Sequence, residues 1–372
     1  MKDNFKRFNS GRAVFFLVAF IALILGGAVL KLTAAIVLPF IIAFLFSLVM
    51  GPMVTFFLKR RIPRLCSILL AVVIIIAGLY VLGMVLFSSA KTIIALYPRY
   101  ENRLTEIYAS VAGIFDFSFD SHLTFMENLW SQLGFRTRIR NFAFAVSNSF
   151  IYFLKDAFMV VVFLVFILLE AAYVKEKFVL AFENKWAGQI ERISEGIVRQ
   201  VMKYLSTKFL ISLATGLVVG VGLQLVGVEF AVFWGVIQFI LNFIPVLGSV
   251  AAGLGATLFS LLQFWPEPAP IILTGMIMLG ANQLIGNVLE PKIMGDNLGL
   301  SPLAVLLSLT IWGYLWGFAG MILAVPMTVI VKIVCENVRV LEPVAALLSS
   351  PKSIASKREE EEKEPQEPAA NR

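Results

Sequence analysis

An all-α, polytopic integral membrane protein with about eight hydrophobic elements is the fold class predicted by three features of this 372-residue sequence. Hydrophobic residues make up 59% of the chain and charged ones only 15%, a balance unlike that of soluble domains. The apolar residues fall in uncharged runs at 13–30, 32–58, 65–90, 209–228, 230–266, 268–289 and 297–331, with a shorter one at 157–169 that extends to Tyr173. Each long run supplies at least one crossing at roughly 20 residues per span. Basic residues crowd beside these runs rather than within them.

From the amino terminus, MKDNFKRFNSGR places Lys2, Lys6, Arg7 and Arg12 ahead of the first run, and KRRIPR after the second run holds Lys59, Arg60, Arg61 and Arg64. Lysine and arginine excess marks cytoplasmic loops, so both segments are expected inside and the turn near Lys31 outside. No small-residue cleavage site follows the first run, so it is expected to stay as an anchor. Residues 1–90 then form three spans. Residues 91–140 are expected outside the cytoplasm, where Ile107, Val111, Ile114, Leu129 and Leu133 recur at roughly helical spacing and predict short amphipathic helices lying on the membrane. His122 stands there without metal-binding companions.

Residues 141–174 return as a fourth span, with Glu170 at the inner interface. Residues 175–208 predict a cytoplasmic amphipathic helix, since Ile190, Ile193, Ile197, Val201 and Leu205 repeat at three and four residues and lead into the fifth span. Residues 209–340 form a core of broken or re-entrant elements. Residues 341–372 are a charged cytoplasmic tail, disordered from Ser349 onward because SSPKSIASKREEEEKEPQEPAANR has almost no large apolar residue.

The core carries the informative signal. Residues 230–266 contain no charge and exceed one upright span, yet FILNFIPVLGSVAAG breaks them with Asn242, Pro245, Gly248 and Ser249. Two models remain open: two crossings with a tight inner turn, or two short helices that dip in and return. Charge placement favours the second, because WPEPAP then stays outside with no basic residue and Lys292 falls inside. Residues 297–331, punctuated by Gly313, Gly317 and Gly320, fit a second re-entrant hairpin entering from the cytoplasm.

Irregular backbone at membrane depth usually lines a cavity, so Asn242, Pro245 and Gly248 are candidates for a solute or ion path. Asn282, Gln283 and Asn287 join them, because amides donate and accept and suit a neutral hydroxyl-rich solute or a monovalent cation; the competing role is tying helices together. Glu290 and Lys292 flank Pro291 and could form an ion-coupling carboxylate with a cation tuning it, or simply place charges at a helix end. Gly216 with Gly220 and Gly313 with Gly317 match small-residue helix packing.

Other classes lack their parts. There is no GxxxxGK[ST], no HExxH, no GxSG or GxGD, so no catalytic residue, metal site or cofactor is expected. Cys66 and Cys335 have no paired or metal spacing. The formal net charge of +7 follows from topology and calls for no nucleic-acid partner. What remains is secondary or passive transport through the lipid bilayer, with a non-transporting membrane scaffold as the competing class.

The segments LNFIPVLGSVAA, NQLIGNVLEPKIMGDNLGLSPLAVLLSL and GFAGMILAVPMTVIVKI resemble signature regions of the autoinducer-2 exporter-like family, also called PerM-type permeases. LPFIIAFLFSLVMGPMVTFFLKRRIPR and RQVMKYLSTKFLISL extend the resemblance over nearly the whole chain up to about residue 340. The resemblance implies a bacterial inner-membrane protein of about eight spans that exports a small furanone-type quorum signal, with sodium/proton antiport as the alternative, and a homo-oligomer, pentamers included. Two departures stand out: LLEAAY replaces a charged pair near Glu170, and IPVLGS puts Val246 and Ser249 where the family's turn has an aromatic residue and a second proline.

Overall fold

Uncharged runs without glycine or proline clusters become continuous helix, because each added residue gains one backbone bond once the first turn has formed. The computed structural model describes residues 10–114, 154–171, 184–294, 299–338 and 340–351, with Tyr173, Lys177 and Ala355. Helices α1 (Ser10–Leu32) and α2 (Ala34–Lys59) turn about Thr33, and α3 (Arg64–Ile114) follows the basic loop. Helix α4 spans residues 154–170. The core comprises α5 (Asn184–Val226), α6 (Ala231–Leu241), α7 (Leu247–Phe264), α8 (Pro268–Ala281), a π-helical stretch at Asn282–Leu289, α9 (Glu290–Met294), α10 (Pro302–Glu336) and α11 (Glu342–Leu348). Among the described residues, six helices are long and apolar enough to cross a membrane. Outward side chains, such as Leu217 and Leu225 on α5, Leu279 on α8 and, on the shorter apolar stretch of α1, Phe20 and Leu23, are exposed, as lipid-facing residues are and soluble surfaces rarely are.

The predicted amphipathic stretch differs in form. SSAKTIIALY contains no breaker, and α3 runs unbroken to Ile114 instead of giving way to separate short helices after residue 90. Its extension is pinned at Arg99, whose guanidinium meets Glu229 Oε1 at 3.0 Å, and at Tyr100, whose hydroxyl donates to Glu229. Burial first, then Glu229 as acceptor, pushes the Tyr100 hydroxyl above the usual phenol range. Leu129, Leu133 and His122 lie outside the described residues.

Helices α2, α3 and α4 share one cluster around Ala43, Ile68, Ala71 and Leu164. The α5 stripe predicted from its periodicity packs as expected: Val201 is fully buried with Leu45, Leu48 and Val329, and Ile193, Ile197 and Leu205 lean against the same cluster. Toward the Glu229 end of α5, small residues let backbones approach. Gly216 and Gly235 bring α5 and α6 so close that a Cβ on Gly216 would lie 2.7 Å from the Gly235 carbonyl oxygen. Ala252, Ala256 and Ser260 repeat every four residues on the buried face of α7, where the Ser260 and Thr274 hydroxyls meet at 3.0 Å. Lipid offers little hydrophobic drive between helices, so close approach and interhelical hydrogen bonds hold such contacts.

Both broken elements are hairpins. In the first, α6 is eleven residues, about 17 Å at 1.5 Å rise, short of the roughly 30 Å hydrocarbon layer. Its two open ends are clasped together: the Glu229 backbone N–H donates to Gln263 Oε1 at 2.7 Å, and Gln263 Nε2 donates to the Gly227 carbonyl at 2.9 Å. The second lies within α10, where Trp316 and Gly317 leave helical geometry, Gly317 with φ 62°. A Cβ on Gly320 would lie 1.9 Å from the Trp312 carbonyl oxygen; eight residues of straight helix would separate them by about 12 Å, so the chain doubles back. The start of this hairpin is held to the end of α11, by Ser301 N–H donating to the Leu348 carbonyl and Ser350 N–H donating to the Gly299 carbonyl. Ser349 and Ser350 are thus paired by backbone with Leu300 and Gly299 ahead of α10, an ordered start to the tail where the sequence predicts disorder from Ser349 onward; residues 356–372 lie outside the described residues.

Candidate functional site

The hairpins enter from opposite ends of the bundle. Residues 198–202 of α5 lie beside the Lys59 end of α2, whereas Glu229 and the mouth of the first hairpin lie at the far end of α5. The second hairpin opens at the Lys59 end, and its tip reaches the α1–α2 turn, where Trp316 Nε1 donates to the Leu30 carbonyl at 3.1 Å and Lys31 stands 3.7 Å over the Tyr314 ring. The first hairpin's tip meets the arms of the second: Ile244 is buried against Leu309 and Ala324.

The first tip is built from three constraints. Pro245 lacks a backbone donor and ends the helix. Val246 takes φ 63°, a conformation uncommon for a β-branched residue. Gly248 allows the return arm to touch the outgoing one, since a Cβ there would fall 1.7 Å from the Leu241 carbonyl oxygen. Asn242 is buried, and its amide is used at both ends: Nδ2 donates to Ser212 Oγ at 3.0 Å, and Oδ1 accepts from Ser249 Oγ at 3.2 Å. Ser249, where the resembling family has proline, thereby helps hold the tip.

A polar column runs along the buried face of α5 through Lys208, Ser212 and Thr215, spaced four and three residues apart. At its foot Lys208 Nζ meets Glu290 Oε1 at 2.6 Å, with side chains 4% and 19% exposed. Glu290 follows the π-helical stretch, whose wider winding precedes Pro291; the proline ring crowds the preceding turn and removes one donor, and such bulges are frequent at functional sites. The cation beside Glu290 is therefore Lys208, and Lys292 is exposed. The other amides do not converge on the tip. Gln283 and Asn287 are exposed and bond each other, Asn287 Nδ2 donating at 2.6 Å, while the Asn282 side chain lies over Gly286. In sequence Lys208 ends the stretch that predicts a cytoplasmic helix, and only its spacing with Ser212 and Thr215 marks it as part of the column. Between α2 and α5 a groove of about 590 Å³, lined by Ser47, Pro52, Thr55, Lys59, Val198 and Met202, opens at the Lys59 end.

Residues 15–340 match the family described as AI-2E family transporter. The chain belongs to the AI-2E transporter family. It is similar to the AI-2 transport protein TqsA of Escherichia coli K12, at 31% identity over 91% of this chain and 96% of that protein. It is likewise similar to YhhT of the same organism, named as a candidate transport protein, at 32% identity over 91% and 95%. A candidate transport protein of Borreliella burgdorferi shares 28% identity over 92% of each chain. The AI-2E match takes in the residues of both hairpins and the Lys208–Glu290 pair.

Proposed function

We propose that this chain is a secondary or passive transporter that exports a small polar solute, an autoinducer-2-like signal or a related metabolite, and is not an enzyme. In this proposal it works as a homo-oligomer in the bacterial inner membrane with both termini in the cytoplasm. The observation that supports it best is the pair of opposed hairpins, whose broken tips leave backbone outside regular helix within an apolar bundle. Such backbone is tolerated at membrane depth where protein buries it or water reaches it. Asn242, Pro245 and Gly248 form the tip that a passing solute would meet, with the α2–α5 groove as its approach from the Lys59 end. The test is counterflow of labelled autoinducer-2 into liposomes containing only the purified protein. Flux above protein-free liposomes without ATP supports the proposal, and uphill flux that requires ATP hydrolysis by this protein contradicts it.

A second reading, sodium/proton antiport, is favoured by the Lys208–Glu290 pair. A carboxylate held by one lysine can exchange that partner for a proton or a sodium ion. Sodium-dependent proton movement in the same liposomes, with no solute present, would select it.

Asn242→Leu separates two roles of the amide. Because both ends of the Asn242 amide are satisfied by Ser212 and Ser249, the expected result is a loss of about 1–2 kcal/mol in stability with flux per folded protein retained. Thermal unfolding and flux normalised to folded protein measure both; abolished flux in an intact fold would make the amide a solute contact instead.

A further inference from the structure

Trp234 and Gln238 on α6 and Asn242 just past its end stand at successive turns, and Trp234 and Gln238 each keep a buried polar atom without a partner among the described residues. Gln238 is 2% exposed, yet its Oε1 has no hydrogen-bond partner among the described residues, and neither has the buried Nε1 of Trp234. Buried polar atoms are nearly always paired, because an orphan has lost its water and gained nothing in return. Two orphans one turn apart on the same helix face are a stronger sign than one. Their chemistry is also complementary: the indole N–H only donates, and the amide oxygen only accepts. A group that fits both must accept once and donate once. A hydroxyl does so. A carboxylate cannot donate to Oε1, and an ammonium or metal cation cannot accept from the indole N–H.

The surroundings hold the indole in place. Its six-membered ring lies over Gly255 of α7, where a Cβ would come within 2.9 Å of Cζ3, and it meets the Phe259 ring at 5.9 Å. Gly235, between the two orphans in sequence, packs its backbone directly on Gly216 of α5, so α6 is held close to α5 at this level.

The geometry points to a hydroxyl-binding position between Trp234 Nε1 and Gln238 Oε1, for a neutral, hydroxyl-bearing solute within the first hairpin, one turn before the Asn242–Ser212 tie. This position rests on the transporter proposal and names the solute class for it. The same hydroxyl chemistry is offered by a bound water, and the experiment must separate the two.

Equilibrium binding of labelled autoinducer-2 to the full-length protein, beside thermal unfolding without solute, is compared for the parent, Trp234→Phe and Gln238→Leu. Each substitution removes one orphan and keeps the size and apolar body of the side chain. The expected result is binding about tenfold weaker in each variant, the worth of one hydrogen bond to the solute, with solute-free unfolding temperature unchanged or raised. A merely structural role would lower that temperature. Parent-like affinity in both variants would overturn the inference and leave a water as the occupant, while the transporter proposal stands on its flux. A parent that neither binds nor carries autoinducer-2 would overturn both.

Discussion

Gly248→Ala and Gly320→Ala should each fail to form a native hairpin. The added methyl would lie 1.7 Å from the Leu241 carbonyl oxygen in the first case and 1.9 Å from the Trp312 carbonyl oxygen in the second. Those neighbours are backbone, so neither can swing aside, and the arms must separate. Overpacking ordinarily costs about 1–3 kcal/mol; here the cost should exceed that range and appear as loss of folded protein after solubilisation. Gly253→Ala is the control in α7. Its methyl would sit 3.8 Å from Met278 Cβ, and alanine favours helix by up to about 1 kcal/mol over glycine, so this variant should be at least as stable as the parent. Equal stability of all three would mean the arms do not touch at their tips.

Lys208→Met and Glu290→Met, made singly, should each destabilise the protein by about 3–5 kcal/mol, because each leaves one charge buried without its partner. Lys208 at 4% side-chain exposure is the more enclosed, so the loss should be larger when Glu290 is removed and the lysine remains. The double variant should recover most of the loss, since apolar residues replace a buried pair at little cost. A thermodynamic cycle on thermal unfolding measures this coupling, and additive losses would show that the two charges do not meet. The double variant also isolates function: if the pair couples flux to an ion gradient, solute movement should continue downhill and lose its dependence on sodium or protons.

Much of the fold was legible because the membrane leaves few choices. Charge-free runs had to be helix, and the breaks at Pro245 with Gly248 and at Gly317 with Gly320 marked both tips. The α3 extension departs from the expectation: polar residues after position 90 suggest a surface segment, whereas nothing in SSAKTIIALY stops a helix and Glu229, 130 residues away, holds it at Arg99. The site was legible in part. Asn242 stood out as an amide beside a proline, but its partners Ser212 and Ser249 come from two other stretches of helix. Glu290 drew attention with the wrong cation, since Lys292 is next to it in sequence and Lys208 is next to it in space. Gln238 was hidden inside an apolar run, although Trp234, Gln238 and Asn242 share a four-residue spacing. Asn282, Gln283 and Asn287 share one stretch in sequence, but Gln283 and Asn287 are exposed and bond each other while Asn282 is half-buried over Gly286.

The central claim is that solute passes where the tip of the first hairpin meets the arms of the second. Ile244 at the first tip packs on Leu309 in the second hairpin, so Ile244→Cys with Leu309→Cys, on a background lacking Cys66 and Cys335, allows the junction to be tied and released. Autoinducer-2 counterflow is then measured in liposomes before oxidation, after oxidation and after reduction. The account predicts parent-like flux with the thiols free, flux falling to the protein-free level once the cross-link forms, and recovery on reduction; a cross-linked protein that still carries autoinducer-2 at the parent rate would contradict it.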